Sequence, residues 1–276
     1  MGRALQVITG FVTAPGATLT AWTLASGDSL SIRSAAIESP IHLLQAWADN
    51  QVAGTLRVRS PRLHDNVQGI RLDVTASDVS PLLPTGIMQR LFAQDTLVAE
   101  QSGSGVAGDI ETGAVLVMYD NLPGVDGRLA SWEQVKPLIK HILTVENTLA
   151  LGIAGGYSGE EAIDAEFDLL KANTDYALLG YLVDVECAVV GWRGIDTGNL
   201  RVGGPGNETL RHITSEWFIR LNRLTGLPTI PVFNSANKSG ILIDGAQDEN
   251  GTDVTVTTIL AELGPTPAAQ FTAPGR

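Results

Sequence analysis

Cysteine is nearly absent from this chain: of 276 residues only Cys187 is one. A single cysteine excludes an internal disulfide framework and a cysteine-based zinc cluster, and it suits folding in a reducing cytoplasm. Histidine is sparse too. His42, His64, His141 and His212 lie far apart with no H-x-x-x-H pair, so the sequence offers no zinc constellation. Basic charge is short, with 18 Lys+Arg against 30 Asp+Glu and a formal net charge of −12. No clustered Lys/Arg tail offsets that balance, so the electrostatic footprint of a protein that neutralises nucleic-acid phosphates is missing and direct, sequence-specific nucleic-acid binding is not expected. Long apolar runs are also missing. No window approaches the roughly 20 consecutive apolar residues of a membrane span. The opening Met1-Gly-Arg-Ala-Leu-Gln-Val-Ile-Thr-Gly10 has one basic residue and no apolar h-region, so it does not read as a signal peptide, and Gln6 departs from the myristoylation pattern.

What the chain does hold is 44% hydrophobic residues, 17% charged residues, 30 Gly and 13 Pro, a composition suited to a soluble, β-rich protein of two modest domains. Two octapeptides match in register: Gly54-Thr-Leu-Arg-Val-Arg-Ser-Pro61 and Gly198-Asn-Leu-Arg-Val-Gly-Gly-Pro205, at an offset of 198 − 54 = 144 residues. The offset is about half the chain, as a tandem duplication of one domain would leave.

Strand signals dominate. Leu19 to Leu24 and Ser29 to Arg33, separated by Ser26-Gly27-Asp28, are expected to form a hairpin. Further strands are expected at Ile41 to Trp47, Gly54 to Val58, Ile70 to Val74, Thr96 to Glu100 and Ala114 to Tyr119, a spacing that suggests a sandwich or barrel. Leu122 to Arg128 is a turn-rich break, and Ser131 with Gln134 forms a capping box for a short helix limited by Pro137. The second half opens on a strand through His141 to Ala150. From Tyr181 to Trp192 the alternation puts Cys187 on an apolar face with Val183, Val185 and Val189, as a buried structural thiol. A helix near 208–225 is marked by Asn207 as cap and by Leu210, Ile213, Trp217, Leu221 and Leu224, with Gly226 and Pro228 as its stop. Gly86 to Ala93 is the nearest helix candidate in the first half. Strands follow at Thr229 to Phe233, Gly240 to Asp244 and Val254 to Leu263. The expected organisation is all-β with minor helix: domain one at 1–127, domain two at 128–263 and a Pro-rich arm at 264–276 that orders against a neighbour.

Apparent catalytic and ligand motifs fail in context. Gly103-Ser-Gly-Val-Ala-Gly108 matches G-x-G-x-x-G, but it leads into a strand and not into the helix whose N-terminus would meet a pyrophosphate. The acidic run Gly159 to Asp168 holds carboxylates suited to Ca²⁺ or to glycoside hydrolysis, yet a solvated loop or helix face accounts for it better. In Asp244 to Asp253, aligning Gly251 with the sixth EF-hand position puts Ala246 first and Thr257 last, where carboxylates are required, so a turn between strands fits better. No serine sits in G-x-S-x-G before a helix. The sequons at Asn207, Asn237 and Asn250 matter only in a secretory pathway. Trp22, Trp47, Trp132, Trp192 and Trp217 are candidates for a sugar-binding platform, but their positions in strands and on the helix stripe favour packing. No catalytic, cofactor or metal residue is expected.

Two β domains in tandem, a helix inserted after Asn-Leu-Arg-Val-Gly-Gly-Pro205, and a strand-rich close through Pro231 to Gly240 and Val254 to Leu263 together resemble the double jelly-roll major capsid proteins of bacterial and archaeal viruses. The resemblance lies in organisation across most of the chain. It implies two jelly-roll-like barrels or sandwiches, a trimer of pseudo-hexagonal outline, and self-assembly in the host cytoplasm into an icosahedral virion shell. Its partners would be neighbouring capsomers, minor capsid or penton proteins and an internal membrane, with no cofactor and no catalysis. A carbohydrate-binding β-sandwich, as a viral spike or lectin-like module, and another phage virion component are the alternative readings.

Overall fold

The computed structural model describes residues 2–32, 40–63, 66–76, 78–84, 86–122, 125, 127–152, 154–166, 168–247 and 251–265. In the first half the strands are β1 (Gly2–Thr13), β2 (Thr20–Ala21), β3 (Thr23–Leu24), β4 (Ile41–Asp49), β5 (Gly54–Arg59), β6 (Ile70–Val74), β7 (Gln89–Leu91), β8 (Val98–Ser102) and β9 (Ile110–Leu122). The second half contains β10 (Leu129–Ala130), α1 (Trp132–Val135), β11 (His141–Leu151), β12 (Ser158–Ala162), β13 (Asp175–Val183), β14 (Cys187–Arg193), β15 (Val202–Gly206), α2 (Arg211–Thr214), α3 (Trp217–Thr225), β16 (Ile230–Asn234), β17 (Leu242–Ala246) and β18 (Thr252–Gly264). Short 3₁₀ turns lie at Lys136–Leu138, Ile195–Thr197 and Ser235–Gly240. The fold is all-β with minor helix.

The halves share one strand order. Apart from the two-residue β3 and β10, the first half pairs as β1-β9-β4-β7 and β2-β8-β5-β6, and the second as β11-β18-β13-β16 and β12-β17-β14-β15. Counted from one to eight within each half, both read 1-8-3-6 and 2-7-4-5, a pair of antiparallel sheets of jelly-roll-like order. The long strands are the sheet centres: β9 pairs β1 from Gly2↔Leu122 to Thr13↔Ile110 and β4 on its other side, while β18 lies between β11 and β13 in the same way.

The tandem architecture is therefore present, but the matching octapeptides do not mark it. Gly54–Arg59 is β5, whereas Val202–Gly206 is β15. By sheet position the counterpart of β5 is β14, at an offset of 187 − 54 = 133 residues. Other expectations also change. Leu19 to Ile32 is not a hairpin, because β2 pairs β8, β3 pairs β1, and Ser31 bridges Thr96, while Arg33 lies outside the described residues. Tyr181 to Trp192 is two strands separated by a bend at Asp184–Val185. The helix near 208–225 breaks into α2 and α3 at Ser215–Glu216. Gly86 to Ala93 carries β7 in place of a helix, with Leu91 opposite Ile41. His64, Asn250 and residues 266–276 of the Pro-rich segment lie outside the described residues.

Local chemistry accounts for the elements that match. Ser131 and Gln134 form both halves of a capping box on α1, and Gly226, at φ 70°, ends α3 in the left-handed conformation that glycine tolerates. Between β15 and β16 the α2–α3 segment closes the open side of the second sandwich. Trp217 donates from Nε1 to Gly203 O at 2.9 Å, and Phe218 meets Trp192 edge-on at 6.3 Å. Gly204 makes room for this, since a Cβ there would lie 2.4 Å from the Tyr181 hydroxyl and 2.6 Å from the Trp217 ring.

Two cores result. Ile8, Leu43, Leu56, Val58, Val115, Val117 and Tyr119 fill the first sandwich. Alternate residues of the same strands, Leu5, Val7, Leu44, Trp47, Leu116 and Met118, point the other way and join the core of the second half. With both faces of β1, β9 and β4 buried, these strands read as near-continuous apolar runs. The outer face of the β1-β9-β4 sheet thus packs against β14 and β15. Trp47 Nε1 donates to Ala188 O at 2.7 Å, and Val7 N donates to Arg201 O at 2.8 Å.

Candidate functional site at the junction of the two sandwiches

The most unusual chemistry in the molecule lies in that junction. Arg201, just before β15, donates through Nε and a terminal nitrogen to both oxygens of Asp244 on β17, at 2.7 and 2.5 Å. Its guanidinium carbon sits 3.2 Å from the centre of the Tyr157 ring, a cation–π contact. From the first half, Asp28 approaches the same guanidinium at 3.9 Å and accepts from Thr9 N at 2.7 Å and from the Tyr157 hydroxyl at 3.0 Å. The hydrogen of Tyr157 is thereby committed, so the Thr9 hydroxyl, 2.5 Å away, donates to it. Thr9 and Asp28 come from one sandwich, and Tyr157, Arg201 and Asp244 from the other.

Burial governs the protonation of this cluster. Asp28, its side chain 4% exposed, is pushed up to about 6, because burial outweighs the Thr9 hydrogen bond and the Arg201 charge. Burial and the Asp28 charge hold the Tyr157 phenol well above its ordinary range. For Arg201 burial acts downward, but the bond to Asp244 and the nearby negative charges prevail and raise it. Gly191 on β14 makes the geometry possible, since a Cβ there would lie 2.5 Å from Arg201 Cγ.

A second seam lies nearby. Glu186 accepts from Val79 N at 2.5 Å, and Asn207 donates to Asp78 Oδ1 at 3.0 Å and to Val79 O at 3.2 Å. Burial, reinforced by Glu208 and Asp78, raises the Glu186 carboxyl. Asn207 also accepts from Thr209 N and Leu210 N, so it caps the turn before α2 while crossing to the first half. A third cluster fixes the start of the second half: Arg128 donates to Asp175 at 2.7 and 3.2 Å, and Asp196 accepts from Asn234 N and Asn237 Nδ2, both at 3.0 Å.

The residues singled out by sequence do not converge. In the acidic run, Glu160 meets Arg193, Glu161 accepts from Asn147, and Asp164 and Asp168 hold Lys238. The Asp244 to Asp253 segment joins β17 to β18, with residues 248–250 outside the described residues, and Asp244 itself lies on β17 as the Arg201 partner. Gly103 to Gly108 connects β8 to β9, with Ser104 N donating to Glu111. Among the described residues no group of His, Cys, Asp and Glu is arranged to hold a metal ion. Trp22, Trp47, Trp192 and Trp217 are buried and Trp132 is half-buried, so the five indoles form no exposed platform. Cys187 is buried, and burial with nearby carboxylates raises its thiol. A cleft of about 200 Å³ lined by Pro81, Leu210, Ile213, Trp217 and Leu221, with Ser80 and Arg220 as its polar members, is mainly apolar, and smaller than the roughly 300–1,000 Å³ typical of ligand pockets.

Sequence reasoning missed Thr9, Asp28, Tyr157 and Gly191. One signal was available: Gly191 interrupts the run Ala188-Val-Val-Gly-Trp192, and a glycine inside a strand marks close approach of another group. What this cluster can do chemically is join the sandwiches. It presents no open position for a substrate, since every polar group named is occupied by another.

No family model matches the sequence, and no curated protein matches it. Among solved structures, the crystal structure of PBSX exported protein XepA aligns over 91% of this chain and 85% of that chain, with 11% sequence identity and a TM-score of 0.27. A superposition of that quality carries no argument about fold or function.

Proposed function

We propose that this chain is a structural virion protein: the major capsid subunit of a bacterial or archaeal virus, a double jelly roll that assembles as trimers into an icosahedral shell and catalyses nothing. The observation that carries this reading is the repetition of one eight-strand order in both halves. Two similar sandwiches per chain let three chains fill six similar positions, and closed rotational symmetry joins complementary side surfaces. A shell subunit also needs its two sandwiches held in a fixed relation. The shared apolar core and the Arg201 network supply that, with Trp47, Val7 and Asp28 engaging the second half directly. Neighbouring capsomers would be the main partners, and the virion its location.

The test is the solution mass of the purified full chain by light scattering after size exclusion, with negative-stain images of the same peak. About three times the chain mass of 29.1 kDa with a six-lobed outline is expected. A monomer that persists at high concentration would overturn the proposal.

A further inference from the structure

The contact inside the chain joins unlike surfaces: the outer face of the β1-β9-β4 sheet meets the outer face of the sheet containing β14 and β15. Because both halves share one strand order, each of these faces has a counterpart elsewhere in the chain. The counterpart of the second is the outer face of β2-β8-β5-β6 in the first half. That of the first is the outer face of β11-β18-β13 in the second half. The former exposes Arg71 and Asp73, and the latter is open along β11 and the start of β18, where Ile142, Thr144, Glu146 and Asp253 are exposed; its β13 side is covered, with Ala177, Ala261 and Leu263 buried and Gly180 against the Thr214 and Ser215 carbonyls. Unlike faces left at the two ends of a unit allow head-to-tail joining.

The charges of these faces are complementary. Strands β5 and β6 carry Arg57, Arg59 and Arg71 against Asp73, with Glu100 from β8, in a chain of net charge −12. Arg57 and Arg71 are direct cross-strand partners, an arrangement of like charges that costs the isolated sheet stability and that an anionic surface would relieve. Arg57 and Arg59 are held in place by Glu100 at 2.6 and 2.9 Å and by the carbonyls of Val67 and Asn66. Little freedom therefore remains to be lost when a partner arrives. On the other face, β11, β13 and β18 contain no lysine or arginine, and Glu146, Asp253 and, just past β13, Asp184 are its outward charges. Strand β11 is also a sheet edge eleven residues long, the kind of edge that soluble proteins cover.

We infer that the contact between subunits follows the contact within the chain, with the arginine-bearing outer face of β2-β8-β5-β6 in one copy seated on the open, acidic part of the outer face along β11 and the start of β18 in the next. The inference rests on the self-assembly proposed above and names the surfaces that carry it.

The test is a charge swap in the full chain. Arg71→Glu, Glu146→Lys and the double variant are compared with the unsubstituted protein by light scattering across a concentration series, with thermal unfolding of each to establish that it is folded. Both positions are exposed on strand faces, so the fold should survive. Each single substitution should raise the concentration needed for assembly by about tenfold or more, and the double should recover most of that loss. Raising salt from about 50 to about 500 mM should weaken the unsubstituted assembly by screening the contact. Asp253→Lys should behave as Glu146→Lys does. If the unsubstituted chain assembles and the single variants assemble equally well, the paired faces are wrong while the capsid reading stands. Weakening by both singles without recovery in the double also overturns the pairing. A chain that never assembles removes both.

Discussion

Replacing Asp28 by asparagine should make the protein more stable at neutral pH, although it removes a carboxylate facing an arginine. The buried Asp28 carboxyl titrates near 6 in the folded protein against an ordinary 3.8, so the folded state favours its protonated form. The stability this group contributes is fully present below pH 3.8 and is lost as pH rises through 6. Above that the loss levels off at (6 − 3.8) × 1.36, on the order of 3 kcal/mol. Asparagine is neutral at every pH, and its carbonyl can accept from Thr9 N and the Tyr157 hydroxyl as the carboxylate does, while Asp244 keeps both its bonds to Arg201. Asp28→Asn should therefore raise stability by about 1–3 kcal/mol at pH 7.5, with the gain falling to about a third of that by pH 4.5. Urea unfolding from pH 4.5 to 8, followed through fluorescence of the buried Trp47, Trp192 and Trp217, measures this. His42, which burial shifts downward, titrates in the same window with the opposite sign. It does so in both proteins and cancels in the difference. Parallel pH curves, or a variant less stable at pH 7.5, would refute the assignment of Asp28 as a buried, reluctantly ionised group.

Two further substitutions probe the same junction. Gly191→Ala places a methyl 2.5 Å from Arg201 Cγ, against a side chain fixed by Asp244; a loss of about 1–3 kcal/mol is expected in thermal unfolding, and an unchanged melting temperature would show that Arg201 moves freely. Trp47→Phe removes the bond to Ala188 O and trims an edge contact with Trp217 at 6.1 Å between centroids. It should cost about 1–3 kcal/mol in thermal unfolding of the full chain, and an unchanged melting temperature would show that neither the bond to Ala188 nor the edge contact holds the halves together.

Much of the fold was legible because strand positions depend on local alternation and on punctuation by Gly, Pro and Asp. The runs at Ile41, Gly54, Ile70, His141 and Val254 all became strands, and the Ser131–Gln134 box and the Gly226 stop act within a few residues of the helix they bound. The misreadings arose where pairing is distant. Leu19 to Leu24 looks like one arm of a hairpin, yet its residues complete ladders with β8 and β1. The bend at Asp184–Val185 has no glycine or proline to announce it, and is fixed by reciprocal bonds between Asp184 and Thr255, 71 residues away. The junction was the least legible part. Nothing in a sequence joins Asp28 to Arg201 or Thr9 to Tyr157; the two strand orders must first be stacked.

The same stacking explains why the repeat is plain in strand order and faint in sequence. Strands β5 and β14 hold one position in their respective sheets, but the outer face of β14 is covered by the first sandwich while that of β5 is not. On the outer face of β14, Val189 and Gly191 are accordingly apolar or small, as burial against the first sandwich and beneath Arg201 requires. Their counterparts on β5, Thr55, Arg57 and Arg59, kept polar and charged side chains at a partly exposed surface. Only the inward residues had a common task, and even there the second sandwich admits Trp192 against Tyr181 and Phe218, where the first packs Leu56 and Val58. Two sandwiches with equal strand order but unequal neighbours therefore differ most on the outer faces, where one half is covered and the other is not, and the repeat is read from strand order and not from the shared octapeptide.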